Sequence, residues 1–359
     1  MPKTATISDD RAEGSDVRKG GRINPSAVFI SPEFTPKKQP PTPLDLNGMM
    51  AKAKESGFID ADSEPAKFLM GRISYQHMCE YLDVIKRCDE PVPMSIREVN
   101  RLMAIDREYQ RILFEYIGLF ELQFRSSYAR EMSLQYGAFA HRNPRLYKSA
   151  KHFEGFLNEY SIPFKRIRYG NECRQKRHIR EYGDMPIWEA VEEVSLGTLS
   201  KPYKNTKSAA VRDAVASSFA CDRELFESWT SCLTVVRNQI AHFGVLLGKT
   251  LPRQPKKMPE IDADNTNPFY VTLVLMRMLR TNAHFQGLPE LMFSTQIFLK
   301  ICKLFSRAER ERKALGVPDD WFELISSPDM GGVFIKLTGN SPTLEESNYP
   351  ESSFDWKMD

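Results

Sequence analysis

IREVNRLMAIDREYQRILFEYIGLFELQFRSSYAREMSLQY, residues 96–136, carries Ile105, Tyr109, Ile112, Leu113, Tyr116, Ile117, Phe120, Phe124 and Tyr128 at recurring spacings of three and four. A side chain returns to the same side of an α-helix every 3.6 residues, so the pattern is the apolar face of one long helix. Gly137 follows directly and supplies a C-cap. The same periodicity predicts further helices over 63–86, 149–159, 186–196, 208–220, 223–243, 267–283 and 288–315. Asp222 is placed to N-cap the helix from Arg223, and Asn267-Pro268 gives a cap with proline in the first turn. Period-two alternation is scarce, with at most a short strand near 332–337, and no internal repeat is visible. The expected fold class is all-α.

The two ends read differently. Residues 1–43 are rich in Pro, Gly, Lys and Asp, a composition that buries too little apolar surface to offset ordering entropy. They are expected to form a flexible N-terminal arm, followed by a helical domain over 44–337 and a loosely held tail over 338–359, pinned locally by Phe354 and Trp356. The 359 residues are 41% hydrophobic and 27% charged with a net charge of +3, values of an ordinary globular protein that do not by themselves argue for a nucleic-acid partner. Six scattered cysteines form no C-x-x-C pair, so neither a zinc site nor a disulfide framework is expected. The N-terminus has no apolar signal-peptide core and no run is long enough to span a bilayer. A cytoplasmic chain without metal or other cofactor is the expectation.

The sharpest local motif is Arg237-Asn238-Gln239-Ile240-Ala241-His242. On a helix Asn238 and His242 share a face, and Arg237 lies about 140° around from His242, close enough for a long guanidinium to reach the same site. The trio suits attack of an RNA 2′-hydroxyl on its own phosphodiester. Histidine titrates near neutrality and serves as general acid or base, arginine grips the phosphate oxygens, and an amide orients either group. Arg-His pairs at this spacing also arise by chance on helices whose histidine is structural.

A second feature is KRIRYGNECRQKRHIR, residues 165–180, with Lys165, Arg166, Arg168, Arg174, Lys176, Arg177 and Arg180 against the single acid Glu172. Tyr169 and His178 are interleaved. Such a patch contacts phosphates with little sequence preference, or else forms a solvated charged loop. His77, His141, His152 and His284 lack partners at ligand spacing and read as surface or capped residues. The absence of Walker A, G-x-S-x-G and H-E-x-x-H patterns argues against an NTPase, a serine hydrolase and a zincin.

The Arg237–His242 motif resembles the R-x(4–6)-H signature of HEPN ribonucleases. Three further blocks are similar to the AbiD/AbiF-type abortive infection proteins, bacterial phage-defence factors with a HEPN-like core. They are Gly57-Phe58-Ile59-Asp60 on through Phe68-Leu69 to Ile73-Ser74-Tyr75 and Tyr81, Glu121 to Arg125 leading to Tyr136-Gly137, and Met185-Pro186-Ile187-Trp188 with Glu192, Ser195, Gly197, Thr198, Leu199 and Ser200. Gly316-Val317-Pro318-Asp319-Asp320-Trp321 looks like the family's late turn, so the resemblance spans roughly 45–325. The Pro-Ile-Trp block is the most specific.

The resemblance implies a HEPN-like helical bundle with additional helices and a metal-independent endoribonuclease. Arg237 and His242 would be its catalytic pair, with Asn238 beside them and Glu121, Arg125 and Glu192 as supporting candidates. It also implies an RNA substrate and a homodimer, and as the alternative a non-catalytic module holding a small structured RNA. Glu121 and Arg125, four apart, are equally readable as an intrahelical ion pair, and Trp188 is expected to pack rather than stack on bases. The sequence departs from the family's A-H-H-x-R-L continuation, reading Ala241-His242-Phe243-Gly244-Val245-Leu246, so a second histidine and a downstream arginine are missing.

Overall fold

A computed structural model describes residues 42–73, 75–86, 94–280 and 293–327. Leu46–Asp359 clusters as one compact unit, and Met1–Asp45 as another in which only residues 42–45 are described. Among the described residues the secondary structure is helical, the single β feature being an isolated bridge between Tyr147 and Thr206. The order is α1 (Leu46–Glu55), α2 (Glu64–Met70), α3 (Tyr75–Lys86), α4 (Ile96–Tyr136), α5 (Ala150–Tyr169), α6 (Arg174–Tyr182), α7 (Ile187–Ala190), α8 (Leu196–Asn205), α9 (Ala209–Ser217), α10 (Arg223–Ala241), α11 (Tyr270–Met278), α12 (Phe293–Ser306), α13 (Glu309–Ala314) and α14 (Trp321–Ser326). The all-α expectation holds.

The axis of the molecule is α4, whose 41 residues make a rod of about 60 Å at 1.5 Å per residue. It begins where the Ser95 hydroxyl accepts from the Glu98 N–H at 3.0 Å and ends at Gly137, whose φ of +85° lies in the region glycine tolerates. Its apolar face is buried along its whole length and meets different partners in turn. Near its first third Tyr109 packs on Phe305 of α12 and donates to the Pro268 carbonyl. Further along, Phe120 and Phe124 join Tyr203 of α8, Phe219 and Phe226 of α10 in an aromatic core with centroids 5.0–6.1 Å apart. Because Phe226 sits opposite Phe120 and Phe124 while Phe243 sits opposite Arg107, α10 runs antiparallel to α4.

The predicted boundaries shift for identifiable reasons. The 63–86 helix breaks after Met70 at Gly71 into α2 and α3. The 149–159 helix continues through Pro163 to Tyr169, because Phe153, Phe156, Tyr160 and Pro163 form a buried stripe that outweighs the lost amide donor. The 186–196 helix divides into α7, a 3₁₀ turn at Val191–Glu193 and α8, which Ser195 caps from its side chain. Asn267 does not cap α11, whose N-cap is Phe269; its Oδ1 accepts from the Phe269 N–H at 2.8 Å within a tight turn that precedes the helix start at Tyr270. The 288–315 helix is interrupted between α12 and α13. The expected strand near 332–337, most of the arm and the whole tail lie outside the described residues. No helix among the described residues is long and apolar enough to cross a membrane.

Candidate active site

The motif occupies the last turn of α10. Asp222 caps the start of that helix, its carboxylate accepting from Leu225 N–H at 2.8 Å, as its position predicted. The expected end at 243 moves inward: the helix stops at Ala241 and His242 is its C-cap. Phe243 N–H donates to Ile240 O at 3.0 Å and Gly244 N–H to Gln239 O at 2.9 Å, the paired bonds of a Schellman ending. The left-handed position of that ending, where glycine is usual, is held here by Phe243 at φ +58°. Gly244 cannot be larger, since a Cβ there would stand 2.8 Å from Gln239 Cγ.

This ending is locked from α4. Asp106 is fully buried and takes four donors: Tyr81 O–H at 2.7 Å, Gln110 Nε2 at 2.7 Å, Leu246 N–H at 3.1 Å and Leu247 N–H at 3.0 Å. Burial pushes the Asp106 carboxyl above the usual range, against the pull of its donors and of Arg107. Gln110 also donates to Gly244 O at 2.9 Å, and Gln239, inside the motif, donates to Val245 O. Arg107 donates to Phe243 O at 2.6 Å, to Gln110 Oε1 at 2.7 Å and to Nε2 of His77 at 3.0 Å. Since arginine only donates, that histidine nitrogen is unprotonated, in keeping with a His77 pKa lowered by burial and by Arg107. His77, expected as a surface or capped residue, is therefore part of the lock.

The motif side chains themselves face outward. His242 and Asn238 are exposed, and the His242 ring makes no hydrogen bond among the described residues. Arg237 is half-buried, its guanidinium 5.9 Å from the centre of the Phe114 ring and its Nη1 3.5 Å from Asn238 Oδ1. Phe114 is 43% exposed and Phe243 69% exposed, so two rings, each beneath an arginine, flank the motif. Neither ring was singled out from the sequence. The available signal was position: Phe114 falls off the apolar stripe of α4, and Asp106 falls on it, one turn from Leu102 and Tyr109.

The supporting candidates form a second cluster. Glu121 and Arg125 are ion-paired within α4, and Arg125 also donates to the main-chain oxygens of Glu192 at 3.1 Å and Val194 at 2.8 Å. It is the Glu192 carbonyl that takes part; its carboxylate points to solvent. Glu121 lies seven residues beyond Phe114, hence on the same face of α4 and about 10 Å along it. The ring closes through α8, where a Cβ on Gly197 would stand 3.2 Å from Thr234 of α10, one turn before Arg237. Arg237, Asn238 and His242 thus share the end of α10, while Glu121, Arg125 and the Glu192 carbonyl form a separate, largely buried cluster, with no direct bond between the two groups among the described residues.

The basic segment is helical, falling in the last turn of α5 and in α6, so the alternative reading as a solvated loop does not hold. Folding adds Glu189 and Glu193 to the one acid, Glu172, of its own stretch. Arg166 pairs with Glu193 at 2.7 Å, Arg174 and His178 with the buried Glu189 at 2.8 and 3.0 Å, and Arg180 with Glu172 at 3.1 Å. Lys176 donates to Gly170 O at 2.7 Å, and Arg168 lies beside the Tyr169 ring. Lys165 and Arg177 are exposed and make no ion pair among the described residues. Trp188, expected to pack, is 48% exposed. His141, expected as a surface or capped residue, is buried with neither ring nitrogen bonded, and burial lowers its pKa to about 4.

Residues 69–247 match the family model described as Abi-like protein. That stretch is similar to the Abi-like family. The Abi-like region runs from the end of α2 to Leu247, so it contains the motif, Asp106 and the main-chain segment that Asp106 holds. Searches of curated proteins and of solved structures return no match. No group of three or more His, Cys, Asp or Glu side chains suited to a metal ion occurs among the described residues.

Proposed function

We propose that this Abi-like protein acts in abortive infection as a metal-independent endoribonuclease of the HEPN type, with Arg237 and His242 as the reacting pair. The observation that carries the reading is the contrast at the end of α10. An exposed Arg-Asn-x-x-x-His turn, with a non-glycine residue in a left-handed conformation, is held by a buried carboxylate and three further polar side chains. Buried polar networks cost desolvation unless every member is satisfied, and local strain of this kind concentrates at sites that need fixed geometry. Here the geometry being fixed belongs to an outward-facing His and Arg.

In this reading His242 removes the proton of the ribose 2′-hydroxyl or delivers one to the departing 5′-oxygen. Arg237, backed by Phe114, offers its N–H edge to the non-bridging phosphate oxygens as negative charge builds on them. Asn238 orients the phosphate or the imidazole. Phe114 and Phe243 supply stacking faces for the bases on either side, while Lys165, Arg168 and Arg177 add phosphate contacts on α5 and α6. The products are a 2′,3′-cyclic phosphate and a 5′-hydroxyl. A labelled RNA incubated with parent and His242→Ala protein in EDTA tests this: cutting by the parent alone supports it, and equal cutting by both contradicts it.

A second reading has its own observation. The His242 ring has no orienting partner among the described residues, whereas a catalytic base is ordinarily held by a third group. A non-catalytic module that grips a small structured RNA needs no such partner. It requires His242→Ala to keep full RNA affinity and cellular effect, and charge reversal at Arg174, Lys176 and Arg177 to remove both. In the nuclease reading the missing partner comes from the RNA or from a second copy of the chain, in keeping with a homodimer.

A further inference from the structure

A cavity of about 290 Å³ opens on α10 two turns before the motif, lined by Lys204, Ser228, Ser231, Arg253, Gln254 and Lys256 together with Glu224 and Glu227. Its floor is α10, one wall is the end of α8, and the other is the 253–256 segment. That segment is tied down where Trp229 Nε1 donates to Lys256 O at 2.9 Å and Lys256 N–H donates to Ser228 Oγ at 2.8 Å. The volume is at the lower end for small-molecule sites and suits one nucleotide unit.

Its charges do not cancel. Glu224 is matched by Lys256 at 2.5 Å and Glu227 by Arg212 at 3.2 Å. Lys204 stands at 4.0 Å from the already paired Glu227, and Arg253 is exposed with no ion pair among the described residues. Three cations thus face two carboxylates among the lining residues, leaving one positive charge in surplus beside two serine hydroxyls able to donate. Lys148, bonded to Lys204 O at 3.1 Å, has its pKa lowered chiefly by partial burial, with Arg212, Arg223 and Lys204 adding to this and Glu227 opposing it. The cavity also lies in register with the motif. Ser231, Asn238 and His242 follow at intervals of seven and four, so they share one side of α10, with Ser231 about 10 Å from Asn238 along the axis.

We infer that this cavity is a phosphate subsite for a single-stranded RNA whose cleaved bond sits at Arg237 and His242, with Arg253, Lys204 and the Ser231 hydroxyl as its ligands. The inference rests on the nuclease reading for the direction of the strand, and on the cavity alone for the phosphate. It extends the RNA path from α6, where Arg174 and Arg180 are already paired, onto the side of α10 that carries the motif.

The test is anisotropy of a labelled single-stranded RNA with full-length His242→Ala protein, alone and combined with Arg253→Gln, Ser231→Ala or Lys257→Gln, over a salt series. Lys257 is exposed on the same segment but outside the cavity. Arg253→Gln is expected to weaken binding roughly five- to tenfold and to flatten the slope of log affinity against log salt by about 0.7, the value of one phosphate contact. Ser231→Ala should weaken binding at unchanged slope, and Lys257→Gln should do neither. Unchanged affinity with Arg253→Gln, or equal loss with Lys257→Gln, overturns the subsite. The nuclease reading is scored separately: intact His242-dependent cutting with Arg253-insensitive binding removes the subsite and keeps the enzyme, and the reverse pattern removes the enzyme and keeps the subsite.

Discussion

Replacing Asp106 with alanine removes the acceptor for two main-chain N–H groups, those of Leu246 and Leu247, and for Tyr81 and Gln110. A buried donor left without a partner costs about 1–3 kcal/mol. The two amides cannot turn elsewhere, whereas Tyr81 and Gln110 can partly re-pair. Release of a desolvated carboxylate offsets part of the loss, giving a net destabilisation of about 3–5 kcal/mol, the range for breaking a buried charged contact. Asp106→Asn keeps one oxygen for three of the donors but turns an NH₂ toward Leu247 N–H, and should cost about 1–2 kcal/mol.

The two variants also differ in pH dependence. The folded pKa of Asp106 is raised above the unfolded carboxylate value, so the proton-linked part of its contribution is fully present below that unfolded value, near 4, and is lost as pH rises through the folded pKa. Asn cannot titrate and loses that dependence. Urea unfolding of parent and both variants across pH 3–7 measures all of this. An alanine variant within about 1 kcal/mol of the parent would refute the argument that Asp106 holds the end of the motif.

Three further outcomes follow from particular contacts. His141 has a folded pKa of about 4 against the ordinary 6.5, so its neutral form adds stability above 6.5 that is lost as pH falls through 4; at 1.36 kcal/mol per unit this is about 3 kcal/mol, and His141→Phe should flatten that acid limb in the same unfolding series. Gly244→Ala forces a Cβ toward Gln239 Cγ and should lower stability by about 1–3 kcal/mol and cut RNA turnover more than RNA affinity, as separate kcat and KM measurements would reveal. Glu189→Ala leaves Arg174 and His178 facing an emptied buried position; calorimetry should record a loss of roughly 2–4 kcal/mol, with RNA affinity unchanged or higher because a cation on α6 is released.

Long helices with strong periodicity were legible. Ile96–Tyr136 was readable to the residue because Ser95, an uninterrupted stripe and Gly137 all agree. The Asp222 cap and the all-α class were equally plain. What escaped depends on contacts between distant segments. Nothing local to Asp106 says that it will accept from residues 140 positions away, although a carboxylate on an apolar stripe is a readable anomaly. The Lys165–Arg180 run looked like free charge because Glu189 and Glu193, which neutralise part of it, arrive from the next block of the chain. His77 and His141 went unread for the same reason. The α5 extension escaped because Pro163 was a stronger local signal than the stripe that overrode it. The motif residues themselves were readable, but not that His242 ends the helix instead of riding within it.

The central claim is that Arg237 and His242 cleave RNA without a metal. The most direct measurement is a single-turnover time course on an end-labelled RNA in EDTA, with parent, Arg237→Ala and His242→Ala proteins and with product ends analysed. Cleavage by the parent that leaves 2′,3′-cyclic phosphate ends, slowed at least a hundredfold in each variant while RNA binding survives, is the predicted result. Cleavage abolished by EDTA, or undiminished in the His242 variant, would contradict it.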